Sequence, residues 1–148
     1  MANEQGFRVP DVVRFAGITY RQLDYWARTG LITPSIREAG GSGTQRVYSF
    51  EDLLRLKVIK SMLDGGMSLA KVRRAVAHMR HLDLSLTGTT LLTTKDRVYA
   101  VESDEALIDL LKGGQTAFVL PMDPVRSDLE DLIRKGARTG RAATTGGA

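Results

Sequence analysis

The sequence predicts a mainly α-helical N-terminal domain followed by a small α+β C-terminal domain. Three observations carry this reading. Apolar residues recur at helical spacing up to about residue 82, and Thr-, Leu- and Val-rich extended runs replace them after His81. The charge also changes sign there. Lys and Arg outnumber Asp and Glu by 13 to 7 over residues 1–82, whereas the acids lead by 10 to 4 over residues 83–133. The last 15 residues then carry four positive charges and no acid. A basic front joined to an acidic middle is the asymmetry expected when one part of a chain meets nucleic acid.

The elements follow in order. The first helix spans residues 7–15, with Pro10 at an early helical position and Val12, Val13, Phe15 and Ala16 as its apolar face. Gly17-Ile18 is a tight break. Thr19 is a good N-cap for a second helix through Thr29, and Gly30 sits where a left-handed C-cap is least costly. Two short helices joined at a glycine form a helix-turn-helix. The helical period is lost from Leu31 to Tyr48. Pro34 and the glycine-rich loop at 39–43 interrupt it, and the flanks 32–37 and 45–48 are suited to pair as a hairpin, a wing. Ser49-x-x-Asp52 resembles a capping box and opens a broadly apolar helix that Gly65-Gly66 ends. Ser68 caps the next helix, in which Leu69, Val72, Val76 and Met79 repeat at spacings of three and four.

Beyond His81, residues 84–102 read as a hairpin about Lys95-Asp96, and Ser103 starts a helix closed by Gly113-Gly114. Residues 116–120 are a third strand. Asp123-Pro124 reads as N-cap and N1 of a last helix, whose Val125, Leu129, Leu132 and Ile133 share one face. The expected organisation is therefore a winged helix-turn-helix domain over residues 1–82, an α+β domain over 83–136 and a disordered basic tail over 137–148.

Composition narrows the function. With no cysteine, a disulfide scaffold, a thiolate metal site and a cysteine nucleophile are excluded. The N-terminus lacks the basic and apolar regions of a signal peptide, and no apolar run approaches the roughly 18–20 residues of a membrane span. A cytoplasmic, nucleoid-associated protein is expected. No nucleophile, acid/base or metal constellation converges in the sequence. His78 and His81 lie three apart without a signalled third ligand, and the 40–43 loop lacks the Lys-Ser/Thr of a phosphate loop. No enzyme, metal or cofactor is expected.

A DNA-binding mechanism fits better. Leu23, Trp26 and Ala27 fall on one face of the second helix and should pack on Val12, Phe15 and the 53–59 segment. Tyr20, Arg21, Asp24 and Arg28 fall on the other, and Tyr20 and Arg21 sit at the N-terminal end that meets base edges in helix-turn-helix proteins. Arginine is suited to bidentate reading of guanine. Solvated surface charge is the plainer alternative for the two arginines, and Tyr25 fits core and surface equally.

The run Ile18-Thr-Tyr-Arg-Gln-Leu-Asp-Tyr-Trp-Ala-Arg-Thr-Gly-Leu-Ile32 resembles the recognition segment of MerR-family regulators. Gln45-Arg-Val-Tyr-Ser-Phe-Glu-Asp-Leu53 is similar to that family's wing-to-helix motif, and Asp64-Gly-Gly-Met-Ser-Leu-Ala-Lys-Val72 to the motif that follows it. The resemblance covers about residues 7–82 and is nearest an actinobacterial, non-metal subgroup. It implies base or nearby phosphate contacts for Tyr20 and Arg21, and backbone contacts for Tyr25, Arg46, Tyr48 and Lys60, with Arg28 on the same outward face. It also implies a homodimer on a palindromic promoter operator, with RNA polymerase as a further partner. Two positions depart from the pattern: Asp24 stands where arginine is usual, and the 39–44 loop is longer. The family's long dimerisation helix is missing after residue 82, so pairing falls to residues 83–136, with the helix at 124–135 as first candidate. The rival readings are an excisionase-like DNA-architectural protein and a module that binds an acidic protein partner.

Overall fold

The computed structural model describes residues 6–37, 46–85, 87–94, 97–113 and 116–147, with the backbone alone for residues 116, 117 and 137–147. The 39–44 loop, Gln45, the Lys95-Asp96 turn and Gly114 lie outside the described residues.

Short polar signals set the helix boundaries. Pro10 stands in the first turn of α1, Val9–Ala16, which Gly17 closes in the left-handed region at φ 74°. Thr19 caps α2, Tyr20–Arg28. Its hydroxyl accepts the Gln22 N–H and its own N–H donates to the Gln22 side chain, each at 3.0 Å. Ser49 and Asp52 make the same reciprocal cap at the start of α3, Phe50–Asp64. Ser68 caps α4, Leu69–Met79. Asp52 also accepts from the backbone N–H and the hydroxyl of Ser35, each at 2.8 Å, which anchors the segment entering the wing.

One short strand escapes the sequence reading because two residues carry no period, and the expected 45–48 wing flank takes it as partner. β1, Phe7–Arg8, pairs antiparallel with β2, Val47–Tyr48, so the chain enters α1 from a strand. Among the described residues the expected wing flanks meet at one bridge, where Val47 N–H donates to Arg37 O at 2.8 Å.

After residue 83, β3 (Thr90–Thr94) and β4 (Val98–Val101) form a hairpin, and β5, Thr116–Pro121, pairs with the other edge of β3. The order β4-β3-β5 is antiparallel throughout. α5, Asp104–Lys112, links β4 to β5 and has no buried residue. β5 runs directly into α6, Met122–Gly147. Asp123 is therefore inside the helix instead of capping it, and its carboxylate accepts the Gly88 N–H and pairs with Arg126. The α6 backbone continues through residues 137–147, where the sequence predicts an aperiodic tail; no proline interrupts it there.

The core does not divide at residue 82. Leu84, Leu91, Met122 and Leu129 belong to the same buried cluster as Val12, Trp26, Leu56 and Ile59. α3 lies at its centre, with Leu53, Leu54, Leu56, Val58, Ile59 and Met62 all fully buried. A helix apolar on most of its circumference needs neighbours on several sides. α1, α4 and α6 supply them. The apolar face of α6, expected to pair two chains, is thus spent within one: Leu129 is fully buried and Val125 and Ile133 pack on the core, while Leu132 stays exposed. Gly136 continues that contact, because a Cβ there would stand 2.6 Å from Cε1 of Phe15.

A shared core predicts one unfolding transition. Leu129→Ala should cost about 2–5 kcal/mol and move the urea midpoint read by Trp26, the single tryptophan, buried in the other half of the chain. A Trp26 midpoint that stayed in place would show that the two halves unfold independently.

Candidate nucleic-acid interface

α2 is amphipathic in a way that fixes its outer face. Leu23, Trp26 and Ala27 are buried. At about 100° per residue, Tyr20, Arg21, Asp24, Tyr25 and Arg28 fall within an arc of roughly 140° on the opposite side. Tyr20 is 60% exposed and Tyr25 46%. Arg21 is exposed at the second position of the helix and makes no ion pair among the described residues. The buried side holds the helix rigidly, so the exposed end presents a ring, a hydroxyl and a free guanidinium at a fixed place.

The other predicted cations are held by acids. Asp24 sits between two arginines: Arg28 Nε donates to Oδ2 at 2.9 Å and Arg46 Nη1 to Oδ1 at 3.0 Å. Arg28 remains largely exposed, whereas the Arg46 side chain is only 16% exposed and its buried Nε has no hydrogen-bond partner among the described residues. Arg46 thus ties the strand leaving the wing to α2. The hydrogen bond from Arg46, then that from Arg28, holds the Asp24 carboxyl below the usual carboxylate range against a smaller opposing effect of desolvation. Lys60 reaches from α3 to the α1–α2 turn, its Cε 3.4 Å from where a Cβ on Gly17 would stand, and its Nζ pairs with Asp64 at 2.9 Å.

Tyr48 departs from the expectation. Its side chain is fully buried in the core, paired through β2 with Phe7, and it offers no surface to a phosphate. The sequence motif marks a core tyrosine at this position. Arg73 on α4, conversely, was not singled out. Its guanidinium lies 5.9 Å over the Tyr25 ring, and Nη2 donates to Thr29 Oγ1 at 2.7 Å, bracing the C-terminal end of α2. Forty-four positions separate Arg73 from Thr29, so no local spacing could have shown the contact.

The arrangement of Tyr20, Arg21 and Arg28 on one exposed helical edge, with Lys60 beside the turn, suits hydrogen bonding to base edges and phosphates. No group of three or more His, Cys, Asp or Glu able to hold a metal occurs among the described residues.

Comparison with known proteins identifies the family of the N-terminal segment. Residues 7–79 match the family model described as MerR HTH family regulatory protein. The chain is 48% identical over 129 residues to HTH-type transcriptional regulators of Mycobacterium tuberculosis and Mycobacterium bovis, covering 86% of this chain and 57% of each relative. It therefore spans little more than half the length of these relatives. The nodulation protein NolA of Bradyrhizobium elkanii is 25% identical over 146 residues, 91% of this chain and 60% of that protein. A crystal structure of a MerR-family transcriptional regulator from Bacillus cereus aligns over 94% of this chain and 75% of that one, with a TM-score of 0.44 and 16% identity.

The Arg28–Asp24–Arg46 bridge makes stability depend on pH in a defined direction. The folded Asp24 carboxyl ionises below its unfolded value of about 3.9, so its contribution is present above that value and is lost as pH falls through the depressed one. Asp24→Asn should lower the urea midpoint at pH 7 and flatten its fall below about pH 4. Identical acid limbs in variant and parent would remove the role given to this carboxylate.

Proposed function

The chain carries a MerR-family helix-turn-helix domain over residues 7–79, and from that premise we propose that it is a transcriptional regulator that binds promoter DNA through the exposed edge of α2. The observation that carries this reading is the placement of exposed Tyr20 and Arg21, the latter without an ion pair among the described residues, at the N-terminal end of a helix whose other face is locked into the core. That end of a recognition helix reads base edges in the major groove. Arg21 is the base-reading residue. Lys60 contacts a phosphate beside the α1–α2 turn, and Arg28 and Arg46 reach phosphates to the extent that Asp24 releases them.

A helix of nine residues reads few base pairs, so selectivity calls for two copies on a palindromic operator. We assign the pairing of chains to α5 and β5, since the apolar face of α6 is occupied. Ile108 and Leu111 on α5 and Val119 on β5 are each large apolar side chains left exposed in the 83–136 segment. A second copy would remove them from water.

Arg21→Ala should cost about 1–3 kcal/mol on the operator and much less on random duplex DNA, whereas Lys60→Ala should weaken both alike and reduce the salt slope by about one. Competition binding across a salt series measures both. Equal losses of Arg21→Ala on operator and random DNA would sink the base-reading role.

Light scattering of the full chain checks the assembly. A dimeric mass is expected for the parent, and a monomeric mass for Ile108→Glu/Leu111→Glu, with weakened operator binding. A dimer that survives both changes would move the interface elsewhere.

A further inference from the structure

A cleft of about 330 Å³ opens between the α3–α4 turn, α4 and the β3–β4 hairpin, and shares no residue with α2. Four cationic or protonatable side chains line it: Lys71, Arg74 and His78 from α4, and Arg97 ahead of β4. Among the described residues none of them makes an ion pair, and no Asp or Glu lines the cleft. Arg14 and Arg28, by contrast, pair with carboxylates three and four positions away, Asp11 and Asp24. Like charges gathered in a concavity repel one another and focus a positive potential on whatever enters.

The floor of the cleft carries an independent sign of a missing partner. Thr93 lines it and is 4% exposed, and its hydroxyl has no hydrogen-bond partner among the described residues. Leaving such a group unpaired is costly, and a ligand oxygen would satisfy it. The remaining wall is apolar, from Met67, Ala75 and Val98. The turn that closes it is fixed by close approach: a Cβ on Gly65 would stand 3.2 Å from Cε1 of Phe118 on β5.

We propose that this cleft binds a small organic phosphate, its phosphoryl group held by Arg74, Arg97 and Lys71 with the Thr93 hydroxyl, and its carbon body laid against Met67 and Val98. Arginine supplies bidentate donors to phosphate oxygens and lysine a point charge, the combination that recognises a multiply charged phosphoryl group. The volume is at the small end of small-molecule sites. Because the walls come from α4 on one side and the hairpin on the other, the occupant would fasten the DNA-facing half to the β-sheet. This makes the protein responsive to a phosphorylated metabolite. The inference does not depend on the DNA-binding reading, since the cleft is lined by other residues.

The test is titration of the full chain with inorganic phosphate and with phenyl phosphate at constant ionic strength, followed by amide shifts of Thr93, Val98 and Ala75. Saturable shifts at these residues are expected with both probes, tighter for phenyl phosphate because its ring covers the apolar wall. Arg74→Gln/Arg97→Gln should weaken phenyl phosphate about tenfold or more. Thr93→Val should weaken it too, while raising the melting temperature of the unliganded protein. Shifts of the same size when chloride replaces phosphate at that ionic strength would overturn the proposal. So would a double variant that keeps phenyl phosphate affinity but loses salt-dependent affinity for duplex DNA, which would assign these cations to the phosphates of DNA.

Discussion

The fold depends on α3 being buried on nearly every side. Six fully buried apolar residues in fifteen positions cannot be covered by the helix-turn-helix alone. α1 and α4 take two flanks, and α6, returning from the far end of the sheet, takes another. The acidic second half is therefore a structural part of the basic first half. It completes the core that holds α2 in place, and Leu129 and Gly136 matter to the exposed face of α2 although neither is near it in sequence.

That constraint decides how much of the molecule was legible. Caps and breaks are local chemistry, and Thr19, Ser49, Ser68, Ser103, Gly17 and Gly30 mark element ends where the sequence placed them. What pattern could not decide is which neighbour covers an apolar face. The stripe of Val125, Leu129 and Ile133 reads equally as an interface and as core, because burial within a chain and between chains uses the same residues. Tyr48 posed the same ambiguity in reverse, a residue with a polar tip whose ring the core takes. Arg73 on Tyr25 and Arg46 on Asp24 are tertiary contacts between elements far apart in sequence, and nothing periodic announces them.

Asp24 shows how one substitution in a recognition helix can alter electrostatics without altering the fold. Where arginine would add a positive charge to the exposed arc, the carboxylate instead engages two arginines already there. Removing one cation and neutralising part of two others leaves Arg21 as the free guanidinium at the N-terminal end of α2 among the described residues. On the proposed reading, the helix face therefore depends less on undirected attraction to phosphate and more on Arg21 at its N-terminal end.

This division also bears on salt. Binding to a polyanion draws on counterions released as protein cations replace them, and each cation counts only if it is free to do so. Arg28 and Arg46 must first leave Asp24, so part of what they gain on DNA offsets a pair they already have. For Arg46 the exchange is harder still, since its side chain is mostly buried and leaving would also free the base of the wing from α2. On the proposed reading, non-specific affinity is thereby restrained while the orientation of wing and helix is kept. A regulator that must leave random DNA quickly gains selectivity from that restraint, because the interactions withheld are those that do not distinguish one sequence from another.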